Sequence, residues 1–315
     1  MAILALLLLT AGPAIQLPGG EGGIGLDDLQ FAPAAHRLLV PAGRTGKLDL
    51  VDPRTSAVDS IEGFSKSAPG KGHGAGTTSA DEGPGGLVFA TDRDARKVVA
   101  VDLARRSIVA SAPLSASPDL VRYVAAAGEV WVTEPRAKSI ERFGWRESRL
   151  AAAGSIQVPD GPESLVADGA RAYTNSWKGQ SYAIGLKDGQ VSPFANGCGG
   201  ARGLALDAER GLLFIGCAEG KVTSISLKRL QPVGSAPTGK GVDLIAYAPR
   251  LRRLYAPAGE TASMTIIAVA DDGTLEALRS EPAAPGAHCA ATDGEGTVWV
   301  CDPGQGRLLV FHDAR

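Results

Sequence analysis

Aromatic residues make up only 5% of this 315-residue chain, which also has just two methionines and four histidines. An interior so short of bulky side chains has to be filled by small and β-branched ones. Long apolar runs are lacking as well. The apolar stretch from Ala2 to Leu9 falls well below the roughly 20 residues that a membrane-spanning helix needs. No segment sustains a helical apolar period, which excludes coiled coils and amphipathic bundles. Neither charge sign is in excess, with 32 Lys and Arg against 34 Asp and Glu. Clustered positive charge drives counterion release from nucleic acids, so its absence argues against nucleic-acid binding. Among the four cysteines no pair has the CxxC spacing of a structural zinc site.

Turn formers, by contrast, abound: 41 glycines and 20 prolines favour many short strands joined by turns. The length is compatible with two ordinary domains or one large all-β unit, and internal repeats decide between them. The first 14 residues, MAILALLLLTAGPA, have the apolar core and small-residue end of a signal peptide. They lack a basic start, the first basic residue being Arg37. A buried first strand is the competing reading of the same residues.

Aligned against itself, the chain repeats one hairpin seven times. The copies start at Leu38, Leu87, Val130, Ala172, Leu213, Leu254 and Val298, with separations of 49, 43, 42, 41, 41 and 44 residues. That spacing matches four-stranded propeller blades, in which each hairpin forms the second and third strands. Inner strands precede the hairpins, as in SLVAD from Ser164, GLALD from Gly203 and LIAYA from Leu244. The last hairpin runs almost to Arg315, leaving blade seven without an outer strand. Residues 14–17 precede the first inner strand and are expected to supply it, pairing two otherwise open edges. The expectation is an all-β, seven-bladed β-propeller over residues 15–315, closed by its N-terminal strand.

The strands LVFATDRDARKVVAVDLARRSIV and VWVTEPRAKSIERF resemble those of the YVTN-type seven-bladed propellers, and the resemblance spans nearly the whole chain. It implies a scaffold whose function sits in the channel mouth and loops. The broad group includes lactone hydrolases as well as surface and periplasmic binding proteins.

Within this architecture GAHCAATDGEGTVWVCDPG, residues 286–304, places Cys289 on the inner strand of blade seven and Cys301 on the adjacent strand. With a turn at 293–296, residue 292 faces 297, and 289 faces 300 or, with one residue of slack, 301. A cross-strand disulfide is feasible at that register. Cys198 and Cys217 repeat the arrangement in blade five. Buried free thiols and a metal or catalytic role are the alternatives. Disulfides agree with export to a periplasmic or extracellular space.

Two glycine-rich stretches imitate nucleotide loops. GSAPTGKG at 234–241 lacks the Ser or Thr after Lys240, and a strand-like segment follows where a helix is required. GKGHGAG at 70–76 also lacks the strand-then-helix setting; it reads as a loop that carries His73 toward the channel. At the start of successive inner strands stand Asp27, the loop from His73 to Thr77, Arg122, Glu163, Arg202, Asp243 and His288. Blades related by rotation bring such positions to one axis, as a self-satisfied ionic ring or as a ligand site. Trp177 and Lys178 in TNSWKG and Glu134 in WVTEP are candidate flanks of the same mouth, an aromatic wall and charged groups for a carboxylate, sugar acid or lactone.

Two functions compete. One is a secreted or periplasmic binding or scaffold propeller, monomeric, recognising a small polar or anionic molecule or a protein partner. The other is a lactonase-like hydrolase or isomerase, with Glu163 or His288 as general base and Arg122 or Arg202 stabilising the oxyanion. No clear set of oxygen ligands for a divalent cation is present, so no metal or cofactor is expected and an enzyme would work metal-free.

Overall fold

The computed structural model describes residues 14–70 and 75–313. Seven antiparallel four-stranded sheets form the blades of a β-propeller. The inner strands are Gln30–Ala32, Ala80–Glu82, Val121–Val124, Val166–Ala167, Ala201–Asp207, Ala246–Ala248 and Ala290–Thr292, in blades one to seven. Each is followed by the hairpin that the repeat marked, such as Leu87–Asp92 with Lys97–Asp102 in blade two.

The apolar runs of the hairpins follow from blade stacking, which buries both faces of every sheet. Side chains alternate along a strand. In blade two Val88, Ala90, Val99 and Val101 pack toward Leu39, Leu48 and Leu50 of blade one. Their neighbours Phe89, Val98 and Ala100 pack toward Val121, Val130 and Val132 of blade three. A strand buried on both faces therefore reads as a continuous apolar run. The acidic residue that ends many third strands serves the next turn: Asp102 Oδ1 accepts the Arg105 N–H at 2.9 Å, and Asp52 Oδ1 accepts those of Arg54 and Thr55. These are Asx-type turns, in which the carboxylate takes up backbone donors that the strand no longer pairs.

Closure occurs as expected. Ile15 pairs with Leu308 and Gln16 with Arg307, so Ile15–Gln16 is the outer strand of blade seven. Gln16 Nε2 donates to the carbonyls of Gln305 and Gly306, and Leu17 N to Gly306 O. Ile15 and Leu17 share one core with Leu38 and Val40 of blade one and Leu308 and Val310 of blade seven. The signal-peptide expectation falls on residues that lie almost wholly outside those described.

Both disulfides are present, Cys198–Cys217 and Cys289–Cys301, with Cα–Cα distances of 5.5 and 5.6 Å. In blade seven Thr292 pairs with Val298 rather than 297, and Ala290 with Val300. The turn is one residue longer than the sequence count, because Asp293 Oδ1 gathers the N–H groups of Glu295, Gly296 and Thr297. Continuing the ladder puts Cys289 opposite Cys301, whose N–H donates to Cys289 O at 3.0 Å.

Candidate functional site

Each inner strand runs away from one end of the channel and the second strand runs back to it. The loop before the inner strand and the turn after the second strand therefore converge at one mouth. A cavity of about 790 Å³ opens there, lined by Asp27, Arg93, Asp119, Glu163, Trp177, Arg202 and Asp243 among others. The ladder pairings place Asp27, Asp119, Glu163, Arg202, Asp243 and His288 at equivalent positions, two residues before the residue that faces the hairpin's core position.

On one side of the floor Arg93 Nη2 lies 3.1 Å from Asp27 Oδ2 and 2.5 Å from Asp119 Oδ1, while its Nε donates to Pro118 O. One guanidinium thus joins blades one, two and three. On the other side Arg202 Nη1 meets Glu163 Oε2 at 3.3 Å and Trp177 O at 3.4 Å. Burial pushes the Glu163 carboxyl up to about 7, a rise that Arg202 opposes and the nearby Asp243 and Asp27 charges increase. Burial also lifts the Asp119 carboxyl well above its ordinary value, with repulsion from Asp27 next; Arg93 opposes the shift. Carboxyls crowded at a partly desolvated mouth resist ionising together.

The structure brings together Asp27, Glu163, Trp177, Arg202 and Asp243 of the residues expected from sequence. Arg122 goes elsewhere. It is held against Asp28 by Nη1 to Oδ2 at 2.7 Å and Nη2 to Oδ1 at 3.1 Å, and Ser79 Oγ donates to the same Asp28 Oδ2. Asp28 is fully buried. Arg122 lies three residues further along its strand than the ring position, which Asp119 occupies. Glu134 is buried behind the mouth, where its carboxylate accepts the Ala116 N–H and the Ser139 hydroxyl. It fastens the loop leading to Asp119, as Asp92 does for Ser65 in blade two. Lys178 is exposed and pairs with Asp160 at 2.9 Å. His288 occupies its ring position outside the cavity wall, with Nδ1 2.6 Å from Gly286 O. His73 lies outside the described residues.

Arg93, Asp94, Arg96 and Arg136 also border the cavity, and sequence reasoning missed them. They sit in the hairpin turns TDRDAR and TEPR, which correspond to the turn carrying Trp177. Because that turn was already placed at the mouth, the repeat alignment held the signal for the others. Among the described residues two groups of potential metal ligands, His288 with Cys289 and Cys301 and Cys198 with Cys217 and Glu219, have donor atoms within 4.8 Å of each other. Their sulfurs are bonded in the two disulfides.

No family model matches the chain, and no curated protein matches it. Solved structures do. The chain is similar to Kuenenia stuttgartiensis hydrazine synthase (13% identity, TM-score 0.74, covering 100% of this chain and 99% of the other). It is also similar to a chain of the mitotic checkpoint complex (12% identity, TM-score 0.78, 100% of both chains). The WD40 repeats of RRP9 match with 10% identity and a TM-score of 0.78, over 97% of this chain and 99% of theirs. Likeness at these identities concerns the propeller fold alone, which hosts many unrelated activities.

Proposed function

We propose that the protein is a binding propeller of an oxidising compartment, periplasmic or extracellular, that holds a small polar ligand at the channel mouth. The observation that carries this reading is the cavity of about 790 Å³ in which charged side chains from several blades converge beside Trp177. Its size fits a small-molecule site. The two disulfides support the compartment. Export and membership of the YVTN-type group are part of the same proposal.

Trp177 provides the test. It is 56% exposed, whereas Trp131 and Trp299 are buried. A polar ligand entering the mouth should change the fluorescence of Trp177 saturably, and Trp177→Phe should abolish that change. A panel of amines, polyols, sugars and sugar acids that leaves both fluorescence and melting temperature unmoved would overturn the reading.

A second reading rests on Glu163. A carboxyl pushed up to about 7 is poised for general-base work near neutral pH, with Arg202 beside it to stabilise an oxyanion. Proton release from simple lactones, lost in Glu163→Gln, would support a metal-free hydrolase; equal rates in both proteins would dismiss it.

A further inference from the structure

We infer that the Cys198–Cys217 disulfide is a site of thiol–disulfide exchange with a dithiol reductant, and that opening it loosens the Trp177 side of the channel mouth. The two disulfides differ in access. Cys289 and Cys301 are both fully buried, in the core that blade seven shares with blade one. Cys217 is fully buried as well, but Cys198 is half-buried, and its neighbours Gly197 and Gly199 are exposed. Neither neighbour has a side chain to screen Cys198 from an attacking thiolate, and accessible disulfides are the labile ones. The reductant thiolate attacks Cys198 Sγ, the S–S bond breaks, and Cys217 leaves as a thiolate that takes a proton. The second thiolate of the reductant then closes its own disulfide and releases Cys198. Two electrons pass to the protein, and the two protons lost by the dithiol end on the two cysteines. Both new thiols have partners in place: Thr223 Oγ1 lies 3.6 Å from Cys198 Sγ, and Ile215 O 3.7 Å from Cys217 Sγ. Glu219 sets the pace. Its carboxylate lies within 4.8 Å of both sulfurs, with Lys221 offsetting part of its charge at 3.4 Å, and it repels each thiolate of the exchange.

Residues 195–200 join the outer strand of blade four, Val191–Phe194, to the inner strand of blade five, and three of the six are glycine. Such a segment has much freedom to lose on folding and few side chains to hold it. The disulfide is its covalent anchor, helped by Glu219, which accepts the N–H groups of Gly199 and Gly200, and by the Ala218 N–H donated to Gly200 O. The turn that carries Trp177 rests on this segment. Asn196 Nδ2 donates to Gly179 O at 2.6 Å, and the Cys198 N–H fixes the Asn196 amide by donating to its Oδ1. Gly179 abuts Gly199, Gly200 and Ala201 so closely that a Cβ on it would stand 3.1 to 3.2 Å from their backbone. Next in the chain, Arg202 accepts the Asn175 side-chain N–H at its carbonyl and donates from Nη1 to Trp177 O at 3.4 Å. Freeing residues 195–200 therefore withdraws support from Trp177 and Arg202 together, both of them in the cavity wall.

The whole oxidised protein, incubated with dithiothreitol without denaturant and quenched by alkylation, gives the rate at each cysteine by peptide mass. Cys198 and Cys217 should be labelled about tenfold or more faster than Cys289 and Cys301, and Glu219→Gln should quicken them further. Hydrogen exchange of the protein reduced at that pair should speed up about tenfold over residues 175–181 and stay unchanged in Arg307–His312. Cys198→Ser combined with Cys217→Ser should show the same quickening with no reductant. Equal labelling of both pairs, or a Cys198 rate that Glu219→Gln leaves unmoved, would overturn the exchange site, since reduction then awaits wider unfolding. Selective reduction with hydrogen exchange over 175–181 unchanged would overturn the link to the mouth. No ligand enters these measurements, so the binding proposal above stands or falls separately.

Discussion

Arg93 Nη2 lies 2.5 Å from Asp119 Oδ1, a contact between blade two and blade three at the channel mouth. The same nitrogen holds Asp27 of blade one at 3.1 Å, so one side chain compensates two partly buried carboxylates. Arg93→Ala should destabilise the fold by about 3–5 kcal/mol, because it takes the guanidinium away from two carboxylates that have no access to full hydration. Urea unfolding of both proteins at neutral pH measures it. A loss below about 1 kcal/mol would mean that solvent already screens the cluster as it does surface pairs.

Arg122 and Arg202 should part company. Arg122 is bidentate to the fully buried Asp28 and lies off the cavity wall. Arg122→Ala should therefore cost about 3–5 kcal/mol of stability. Arg202 has a side chain 27% exposed and faces the cavity. Its replacement by alanine should move stability by about 1 kcal/mol and change ligand affinity instead. Melting curves and titrations of the two variants, run together, check the division.

Asp49 is fully buried in blade one, with Oδ1 accepting the Ser60 hydroxyl and Oδ2 unpartnered. Burial raises its carboxyl from 3.8 to about 6. The folded protein thus keeps a proton that the unfolded chain has released, so stability falls as pH rises from 3.8 to 6 and is level above. Asp49→Asn removes the charge and keeps an acceptor for Ser60. Its advantage over the parent should be absent at low pH and reach about 3 kcal/mol at neutral pH. Unfolding free energies across this range test it, and a pH-independent difference would contradict it.

Intact-mass analysis after alkylation without reductant should find no modified cysteine. The disulfides close loops of 19 and 12 residues, and in a chain-entropy model each contributes about 3 kcal/mol. Double replacement by serine in either pair should lower the denaturant midpoint accordingly. Four alkylated cysteines would also remove the support for an oxidising compartment.

Ile15 and Leu17 close the ring from the N-terminal side, and Leu17 is 1% exposed. Leu17→Ala should cost about 2–5 kcal/mol through the cavity it leaves. Hydrogen exchange should quicken first in Arg307–His312, the strand that Ile15–Gln16 pairs. Faster exchange spread evenly over all blades would show that closure does not protect this edge locally.

The number of blades, their strand order, the closing strand and both cysteine pairs could be read from the sequence. Each depends on short-range facts: a near-constant repeat, apolar runs that both blade faces bury, and cysteines a hairpin apart. The mouth was legible only in part. Asp27, Glu163, Arg202, Asp243 and Trp177 could be found because the repeat places inner-strand starts and hairpin turns at the same end. Which residue of a loop faces the axis is set by turns of unequal length, as where Asp293 lengthens the blade-seven turn. A strand offers its two faces alternately, so such shifts change which side chain points inward. Only the assembled ring could therefore place Asp119 at the mouth, turn Arg122 to Asp28, and bring Arg93 within reach of carboxylates from two other blades.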